Sequence, residues 1–502
     1  MAADDADVVV VGGGGTGLMA AYTAARLGRC VTVLEKAGRL GGTTAMSVGT
    51  ICTTATEHQK ALGIIDCPDA HFEDMDKFVG PLANRDNLYL RRLLVDNVPD
   101  TFQVLVDLGI EFVGPIPEAP HRYPRLHAIV PHARGYIYHL AAACQGLGVR
   151  IQVRAPAERL VMESGRVVGV EFSSGDGKHR SVRARNAVIL ASGDFSSAAR
   201  PFKERFMSGP LLQIEGINPL STGDGQRLGE EAGGEIINGD LAWGPEIRFV
   251  APKRTRLVAR LPPWRALAKS ISAAMRSLPN SILRPFLMSY VTTYLAPSHT
   301  LFHEGAVLVN LDGRRFCDER ARPQDRIGEQ REQLAFIVLD QEVAAKFRAW
   351  PHYVSTAPGV GYAYLADYER SRRDIFSKAK DWTGLAQKLH IPADALVETI
   401  AQYNREAEAL GRAPLLRPPF IALGPAKSWV VFSEGGLRVD ERLRVLHRSG
   451  RAIPGLYAAG SAGQGGLLLE GHGHHLAWAF TSGRLAGRNA AFDMPDHYCS
   501  VR

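Results

Sequence analysis

The sequence predicts an α/β fold built on a parallel sheet, and its first fifty residues supply the main evidence. Four consecutive valines at 8–11 are β-branched and apolar on both faces, as a buried parallel strand requires. They lead directly into Gly12-x-Gly14-x-x-Gly17, a helical run to residue 27, and a second apolar strand that ends at Glu35. This order of strand, glycine turn, helix, strand and acid predicts a βαβ unit that binds a dinucleotide.

Each part of this unit has a physical role in binding. Glycine lets the backbone turn sharply, approach a pyrophosphate closely, and bring the helix against the strand. The helix that begins near Gly15 and Thr16 presents unpaired N–H groups and a partial positive charge to the phosphates. Glu35 lies where a carboxylate accepts hydrogen bonds from a ribose hydroxyl.

A second cluster of glycines and hydroxyls follows Glu35 and Lys36. Such a cluster suits a ligand that continues well beyond its diphosphate, and a flavin has such a tail. We therefore expect FAD, with further contacts from this cluster: Gly42, Thr43, Thr44, Ser47, Gly49 and Thr50.

Several later segments complete the pattern of a flavoprotein. They are 187–195 (AVILASGDF), 221–225 (STGDG), 305–319 (GAVLVN through GRRFCDE) and 453–461 (IPGLYAAGS). Together they resemble the FAD-dependent fumarate reductase and succinate dehydrogenase flavoprotein superfamily, whose members include 3-ketosteroid Δ1-dehydrogenases. The resemblance spans almost the whole chain. It adds as cofactor contacts Ala191, Ser192, Gly193, Asp224, Gly460, Ser461, His474 and Leu476.

The resemblance also implies the domain organisation. We expect a Rossmann-like FAD-binding domain of the glutathione-reductase type, with an α+β cap domain inserted into it. The predicted parts are residues 1–240 for the first part of the FAD-binding domain, 241–424 for the cap, and 425–502 for the second part. A chain of 502 residues has ample core for two domains.

The composition is that of an ordinary soluble protein, with 45% hydrophobic and 22% charged residues. No stretch is apolar enough to predict a membrane span, and the acidic N-terminus leads directly into the first strand, so we expect no signal peptide. The six cysteines lie far apart without a CxxC pair, which disfavours a zinc or iron–sulfur site. We therefore expect reduced thiols, no metal, and a cytoplasmic protein.

The net charge of +7 is concentrated in one region. Residues 247–303 contain no Asp or Glu, and they include Lys253, Arg254 and Arg256. Within this region Trp264 and several aliphatic residues share one helical face, opposite Arg265, Lys269 and Arg276. Such a basic helix, next to an apolar segment at 282–288, is either a cap helix packed on its own protein or a peripheral contact with an anionic membrane. No pattern indicates nucleic-acid binding.

Two regions offer pocket residues. Arg125-Leu126-His127, in a proline-rich loop, matches an Arg-x-His that faces the flavin in fumarate reductases. Those enzymes also have a proton-donating arginine after the glutamate that corresponds to Glu319, but this chain has Pro323 there, flanked by Arg322 and Arg326. The Pro-, Gly- and Tyr-rich segment 350–365, which includes Tyr353, either lines a pocket or is a surface connection.

The segment before the last helix bears on the substrate. Fumarate reductases have a carboxylate-binding arginine at a position that this chain gives to Glu470, and a glutamate there repels a dicarboxylate. Gly473 matches a glycine of ketosteroid dehydrogenases, and its N–H is expected to polarise a carbonyl oxygen. His472 and His474 precede a helix, which is expected to lower their pKa and to favour a neutral base.

We therefore expect an FAD-dependent enzyme that transfers a hydride between flavin N5 and a carbon β to a carbonyl. The favoured reaction is dehydrogenation of a cyclic or hydrophobic ketone, with Glu470 or His472 as base, Gly473 as polariser, and Arg125, His127 and Arg322 in the pocket. The alternatives are an ene-reductase fed by a reduced carrier and a membrane-docked electron-transfer flavoprotein. We expect the electron partner to be a quinone or a redox protein. The sequence has no second GxGxxG motif, which would indicate a dedicated NAD(P)H domain.

Overall fold

The computed structural model describes residues 5–252, 260–279, 282–285, 288, 292–293, 295–357 and 361–493. Lys253, Arg254 and Arg256 of the basic stretch, residues 286 and 287 of the apolar segment, and residues 358–360 of the tyrosine-rich segment lie outside these ranges. The α/β fold is confirmed, and the predicted βαβ unit is present: strands Ala6–Val11 and Val31–Glu35 are parallel neighbours, joined by the helix Gly15–Arg26.

The strands are numbered in chain order over the described residues. They are β1 Ala6–Val11, β2 Val31–Glu35, β3 Thr50–Cys52, β4 Glu111–Ile116, β5 Leu126–Val130, β6 Arg150–Val153, β7 Ala157–Glu163, β8 Arg166–Ser173, β9 His179–Leu190, β10 Ile236–Ile237, β11 Ala242–Trp243, β12 Glu246–Phe249, β13 Val307–Asn310, β14 Leu334–Leu339, β15 Ser355–Ala357, β16 Gly361–Ala363, β17 Phe376–Ala379, β18 Phe420–Trp429, β19 Phe432–Ser433, β20 Gly436–Leu437, β21 Arg444–Leu446 and β22 Ala452–Ala458.

Helices connect these strands. The α-helices are Gly15–Arg26, Glu57–Lys60, Pro68–Val79, Leu88–Asp107, Arg134–Gly146, Arg200–Lys203, Pro210–Gln213, Asp224–Glu231, Arg265–Ser277, Thr300–His303, Pro323–Ile327, Gln341–Lys346, Leu365–Ser371, Trp382–Leu389, Ala393–Glu406 and His474–Ala490. Short 3₁₀ helices occur at Thr43–Met46, Gly80–Arg85, Arg331–Gln333 and Gly460–Gly463.

The largest sheet has the order β21-β22-β9-β1-β2-β6, and its ladders from β22 to β6 are parallel. The valines of β1 are buried at its centre, as predicted. Strand β9 is longer than the predicted strand at 188–190, because its first part pairs antiparallel with β8 before its end joins the parallel sheet. Strands β7 and β8 pair with each other as the predicted hairpin, and β8 joins this hairpin to the first part of β9.

A second sheet belongs to the region predicted as the cap. It has the order β12-β18-β14-β13, with β17 also pairing with β18, and all its ladders are antiparallel. Its buried side chains form a hydrophobic core separate from that of the large sheet. The domain boundaries at 240/241 and 424/425 stay predictions; strand β18, Phe420–Trp429, crosses the second of them.

The first and last helices of the fold lie against each other. A Cβ atom on Gly483 would lie 2.5 Å from the carbonyl oxygen of Thr16, and one on Gly487 would lie 2.3 Å from that of Ala20. Both distances are shorter than any normal contact, so the two helices pack backbone to backbone at a spacing that only glycine permits. This contact fixes the C-terminal helix, His474–Ala490, beside the dinucleotide-binding unit.

The predicted basic helix is present at Arg265–Ser277 and packs on its own protein. Ala268 and Ser272 are buried on the inner face, whereas Arg265, Lys269 and Arg276 are exposed on the outer face. The inner face of the helix therefore packs within the chain, and its cations lie on the exposed face. Over the described residues, no helix combines the length and the apolar character that crossing a membrane requires.

Glu319 stabilises the interior of the second core. Its buried carboxylate is 2.6 Å from Arg412 and 3.0 Å from Arg315, and it accepts a hydrogen bond from the N–H of Leu308 at 3.0 Å. Arg412, also buried, donates to the carbonyl of Ala306 as well. The glutamate that the flavoprotein pattern contains thus ties strand β13 to the segment that follows the helix Ala393–Glu406.

We predict that Arg412→Met destabilises the protein by about 3–5 kcal/mol, because it leaves a buried carboxylate without this partner. Arg314→Met is the matched control, because its partner Glu398 is 64% exposed and the pair is expected to contribute only about 0–1 kcal/mol. Equilibrium unfolding in urea measures both changes. Equal losses for the two variants would contradict this account of Glu319.

Candidate active site

One continuous cavity of about 1870 Å³ opens at the carboxyl ends of the parallel strands. The residues that directly follow β1, β2 and β9 contribute to its wall, as expected for a ligand at this edge of an open α/β sheet. We call this part of the wall the cradle; it comprises residues 11–12, 14–16, 34–37, 39–50, 191–194 and 461. A typical small-molecule pocket measures about 300–1,000 Å³, so this cavity has room for a dinucleotide and a second molecule.

The glycines in and directly behind the cradle meet different constraints. A Cβ atom on Gly17 would lie 1.9 Å from the carbonyl oxygen of Gly12, and one on Gly12, at φ +112°, would lie 2.4 Å from that of Ala191. These two positions exclude any side chain because strand, turn and helix are in contact. Gly14 differs: its nearest neighbour would be 3.9 Å away, and the residue faces the cavity. Its missing side chain leaves the space that a diphosphate needs.

The polar groups of the cradle are held by one another. Glu35 accepts hydrogen bonds from the N–H groups of Gly13 and Ala37, both at 2.7 Å. Lys36 forms a 2.6 Å ion pair with Asp224, and the hydroxyl of Thr44 accepts from the N–H of Gly15 at 3.2 Å. The second glycine and hydroxyl cluster is thereby joined to the first turn of the dinucleotide-binding helix.

Most of the predicted cofactor contacts line this cavity. They are Gly12, Gly14, Gly15, Thr16, Glu35, Lys36, Gly42, Thr43, Thr44, Ser47, Gly49, Thr50, Ala191, Ser192, Gly193, Asp224, Ser461 and Leu476. Three others, Gly17, Gly460 and His474, are not among its lining residues. Gly17 and Gly460 support the cradle from behind through backbone packing, and His474 is buried in a separate cluster.

The C-terminal part of the chain completes the cradle. Gly460, at φ +60°, packs so closely on Thr16 that a Cβ atom would lie 2.4 Å from its hydroxyl oxygen. The N–H of Gly460 donates to Ser482 at 2.8 Å, and its carbonyl accepts from the indole of Trp478 at 3.1 Å. The C-terminal helix therefore holds the glycine turn after β22 against the N-terminal helix.

Beyond the cradle, the cavity continues into what we call the chamber. Its apolar wall comes from β4, the helix Arg265–Ser277 and the segments around it: Val113, Ile116, Tyr138, Ile271, Ala274, Met275, Leu278, Leu283 and Leu295. Its polar and aromatic wall comprises Trp243, Glu246, Arg248, Arg260, His299, Tyr353, Phe432, His472, Gly473 and His475. The apolar face of the basic helix is thus a wall of the chamber.

Two of the predicted catalytic residues, His472 and Gly473, line the chamber. His472 Nδ1 lies in direct contact with the carboxylate of Glu118, which raises the pKa of His472 above its usual value. The expectation of a lowered pKa is therefore wrong for His472: the hydrogen bond to Glu118 outweighs the opposing effect of burial on the pKa. For His474 the pKa is lowered to about 4, with burial as the main cause.

Gly473 is the residue immediately before the C-terminal helix and has a φ of +83°. Its carbonyl accepts a hydrogen bond from Cys52 at 3.2 Å, and a Cβ atom would lie 2.6 Å from the same nitrogen. Only glycine suits this position. The turn consequently sits against strand β3 and presents its backbone to the chamber at a helix N-terminus.

Arg125 and His127 are fully buried outside the cavity wall. Arg125 forms ion pairs of 2.7 Å with Asp66 and 2.5 Å with Asp74. His127 Nδ1 donates to the carbonyl of Arg125, and burial lowers the pKa of His127 to about 3. Both side chains therefore stabilise the loop that precedes β5.

Arg322 and Glu470 also lie outside the lining residues of the cavity. Arg322 is 67% exposed and paired with Asp325 at 2.6 Å. The Glu470 pKa is raised by burial and by repulsion from Glu434. Of the six predicted catalytic residues, only His472 and Gly473 are thus among the lining residues of the cavity.

The family model for the FAD binding domain matches residues 7–258 and 277–468, which is most of the chain. The chain belongs to the FAD binding domain family. FAD is therefore its cofactor, as predicted, and the superfamily resemblance is confirmed.

Similar proteins include both reductases and dehydrogenases. The NADH:acrylate oxidoreductase of Vibrio harveyi is 25% identical over 97% of this chain and 50% of its own length. The 3-oxosteroid 1-dehydrogenase of Mycolicibacterium smegmatis is 24% identical over 98% of both chains. A flavocytochrome c3 fumarate reductase in its open conformation aligns with a TM-score of 0.71 at 22% identity, over 97% of this chain and 78% of that one. The chain thus spans about half the length of the acrylate oxidoreductase that it matches.

The residues of the cradle suit FAD. The open side of Gly14 and the N-terminus of the helix Gly15–Arg26 offer space and N–H groups for the diphosphate. The Glu35 carboxylate lies in the wall, where the ribose of a dinucleotide is bound in this fold. The turn at Ala191–Gly193 and Ser461 extend the same wall towards the chamber.

Several chamber residues carried little or no sequence signal. Tyr353 belongs to the tyrosine-rich segment, for which a pocket was one of two interpretations, and it lines the chamber. Trp243 and Phe432 face each other across the short β11–β19 ladder, with ring centroids 5.6 Å apart. Glu118 is recognised only through its contact with His472, far away in the sequence. Pairings of this kind depend on the fold and leave no local pattern.

We predict that Gly460→Ala lowers the FAD content of the purified protein, because the new methyl group would displace Thr16 at the edge of the cradle. Gly450→Ala is the matched control: it also has a positive φ, of 85°, but nothing lies within 4 Å of the added atom. Both variants carry about 1–2 kcal/mol of backbone strain, and only Gly460→Ala adds about 1–3 kcal/mol from overpacking. The ratio of flavin to protein absorbance measures the effect, and equal FAD content in the two variants would contradict it.

Proposed function

We propose that this protein is an FAD-dependent oxidoreductase that acts on a CH–CH bond next to a carbonyl, in the direction that desaturates a hydrophobic ketone. The observation that carries the proposal is the continuity of the cradle with an apolar chamber. A molecule in the chamber would lie beside the far end of the cofactor, with Ile271, Met275 and Leu278 against its hydrocarbon body. Apolar contacts of this kind favour an uncharged, bulky substrate.

The chemistry needs a polarised carbonyl and a group that exchanges the α proton. When bound, FAD supplies a ring that takes up a hydride from carbon or returns one to it. Gly473 would place its N–H, with the partial positive charge of a helix N-terminus, at the carbonyl oxygen and stabilise the charge that develops there. His472 would exchange the α proton, oriented by the carboxylate of Glu118.

A pair of charged residues in the chamber wall supports an uncharged ligand. Arg248 is paired with Glu246 at 2.9 Å, so its charge is offset inside the wall. Glu246 also accepts a hydrogen bond from the indole of Trp243 at 2.8 Å, which holds the carboxylate in place. The 3-oxosteroid 1-dehydrogenase among the relatives is named for a dehydrogenation of a cyclic ketone, and this agrees with the proposal.

A second candidate function is the reverse reaction, the reduction of an activated C=C bond in an enone or an unsaturated acid. Arg260 in the chamber wall favours it, since a carboxylate substrate would gain from a nearby guanidinium group. The acrylate oxidoreductase among the relatives is named for such a substrate. The six predicted catalytic residues remain proposals in both directions, and the position of His472 and Gly473 in the cavity wall supports the roles proposed for these two.

The electrons need a partner outside the described chain. We propose a quinone or a redox protein, as acceptor for desaturation or as donor for reduction. The exposed cations of the helix Arg265–Ser277, together with Trp264 at 59% exposure, offer an anionic membrane or an acidic partner a contact surface. A cytoplasmic location with a peripheral membrane contact is part of this proposal.

A flavin-bleaching screen tests the direction and the substrate class. We expect cyclic ketones and steroid ketones, mixed anaerobically with the oxidised protein, to bleach the visible flavin absorbance. Photoreduced protein mixed with enones or unsaturated acids tests the reverse direction. Reoxidation by the unsaturated compounds without any bleaching by ketones would overturn the dehydrogenase proposal in favour of the second candidate.

We predict that His472→Gln lowers kcat/KM for the substrate found in that screen by roughly 10²–10⁴-fold, the usual contribution of an acid–base group. FAD content should stay unchanged, and exchange of solvent deuterium into the α position should be lost. His179→Gln is the matched control, because His179 also contacts a carboxylate, that of Glu158 at 2.9 Å, and lies outside the lining residues of the cavity. Unchanged α-exchange in His472→Gln would remove His472 from the proposed mechanism.

A further inference from the structure

Three buried side chains from distant parts of the chain meet behind the chamber. Cys52 ends strand β3, His71 lies in the helix Pro68–Val79, and His474 begins the C-terminal helix. All three residues are fully buried. The cluster lies outside the cavity wall, and the proposed reaction does not use it.

The donor atoms of these residues point at one another. Cys52 Sγ is 3.5 Å from His71 Nε2, and His71 Nε2 is 3.1 Å from His474 Nε2. All three donor atoms lie within 4.8 Å of one another. Ligands of one tetrahedral zinc ion, at about 2.3 Å for sulfur and 2.0–2.1 Å for nitrogen, are roughly 3.3–3.6 Å apart. The Cys52–His71 and His71–His474 separations are close to these values.

The surrounding groups orient the donor atoms. His474 Nδ1 donates to the carbonyl of Glu470 at 2.6 Å, so its Nε2 lone pair is directed into the cluster. This is the usual outer contact of a metal-binding histidine. On the sulfur side, Arg125 donates to His121 Nδ1 at 2.9 Å, which leaves the His121 proton on Nε2, 3.5 Å from Cys52 Sγ. A proton there would stabilise a thiolate.

The charged groups beside the cluster are paired with one another. Asp66 and Asp74 share Arg125, and Asp74 also pairs with Lys77 and Arg122. Glu118, which is mostly buried, contacts His472. The case for a bound cation therefore comes from the donor atoms themselves: one thiolate and two neutral imidazoles around a divalent ion would leave a single positive charge.

We propose that Cys52, His71 and His474 bind a zinc ion, with the fourth position taken by water. One thiolate with two imidazoles is a ligand set that zinc favours over magnesium, calcium or manganese. The ion would join β3, the helix Pro68–Val79 and the first turn of the C-terminal helix, and so fix the Gly473 turn at the chamber. From the wide spacing of the cysteines we expected no metal site, because ligands this far apart in the sequence form no local motif.

Metal analysis of the native protein tests this site. Tag-free FAD-loaded protein is dialysed first against zinc sulfate and then against metal-free buffer. We expect about one zinc ion per chain by mass spectrometry, and an X-ray absorption spectrum with one sulfur at about 2.3 Å and nitrogens at about 2.0–2.1 Å. No retained zinc, or zinc without a sulfur neighbour, would overturn the proposal.

Variants locate the ion. Cys52→Ser and His71→Asn should each lower retained zinc at least tenfold, while Cys144→Ser, which changes another buried cysteine, should keep it. Retention of the full zinc content and the sulfur signal in Cys52→Ser would overturn the assignment. If Cys52→Ser and His71→Asn fail to fold, the absorption spectrum of the native protein decides alone. FAD absorbance, recorded in parallel, separates loss of the ion from loss of the cofactor.

Discussion

The backbone contact between the first and last helices is the constraint on which the site depends. Gly483 and Gly487 let the C-terminal helix touch carbonyl groups of the N-terminal helix, a distance that no side chain allows. The same helix carries Trp478 and Ser482, which hold Gly460 against Thr16. The cradle for FAD is therefore formed by both ends of the chain, and it exists only when the C-terminal segment has returned to the parallel sheet.

The second sheet contributes the other half of the cavity. Its own hydrophobic core, together with the buried ion pair of Glu319 and Arg412, supports the strands around β18. Trp243, Phe432 and the helix Arg265–Ser277 lie next to this sheet in the sequence and contribute walls of the chamber. One hydrophobic core thus supports the cradle, and the other supports the walls of the chamber beside it.

Most of the predicted cofactor contacts line the cavity, because the constraints on them are local. The glycine spacing after β1, the acid at Glu35 and the cluster at 41–50 each follow from a short segment whose geometry is set by the backbone. The chamber was predicted poorly because its residues meet across long distances. Arg125 and His127 had the right residue types, yet Asp66 and Asp74 turn Arg125 away from the cavity. Glu118 likewise reversed the expected pKa shift of His472, and the local sequence gave no sign of it.

The position of the helix Arg265–Ser277 in the chamber wall affects how such a protein can acquire new substrates. Ile271 and Met275 on this helix, and Leu278 directly after it, line the chamber, and methionine in particular adapts to neighbours of different shape. Few of its residues are fully buried, so exchanging these side chains would disturb neither core. Substitutions at a few positions on one helix can thus change the surroundings of the ligand, while the residues that hold the coenzyme stay the same.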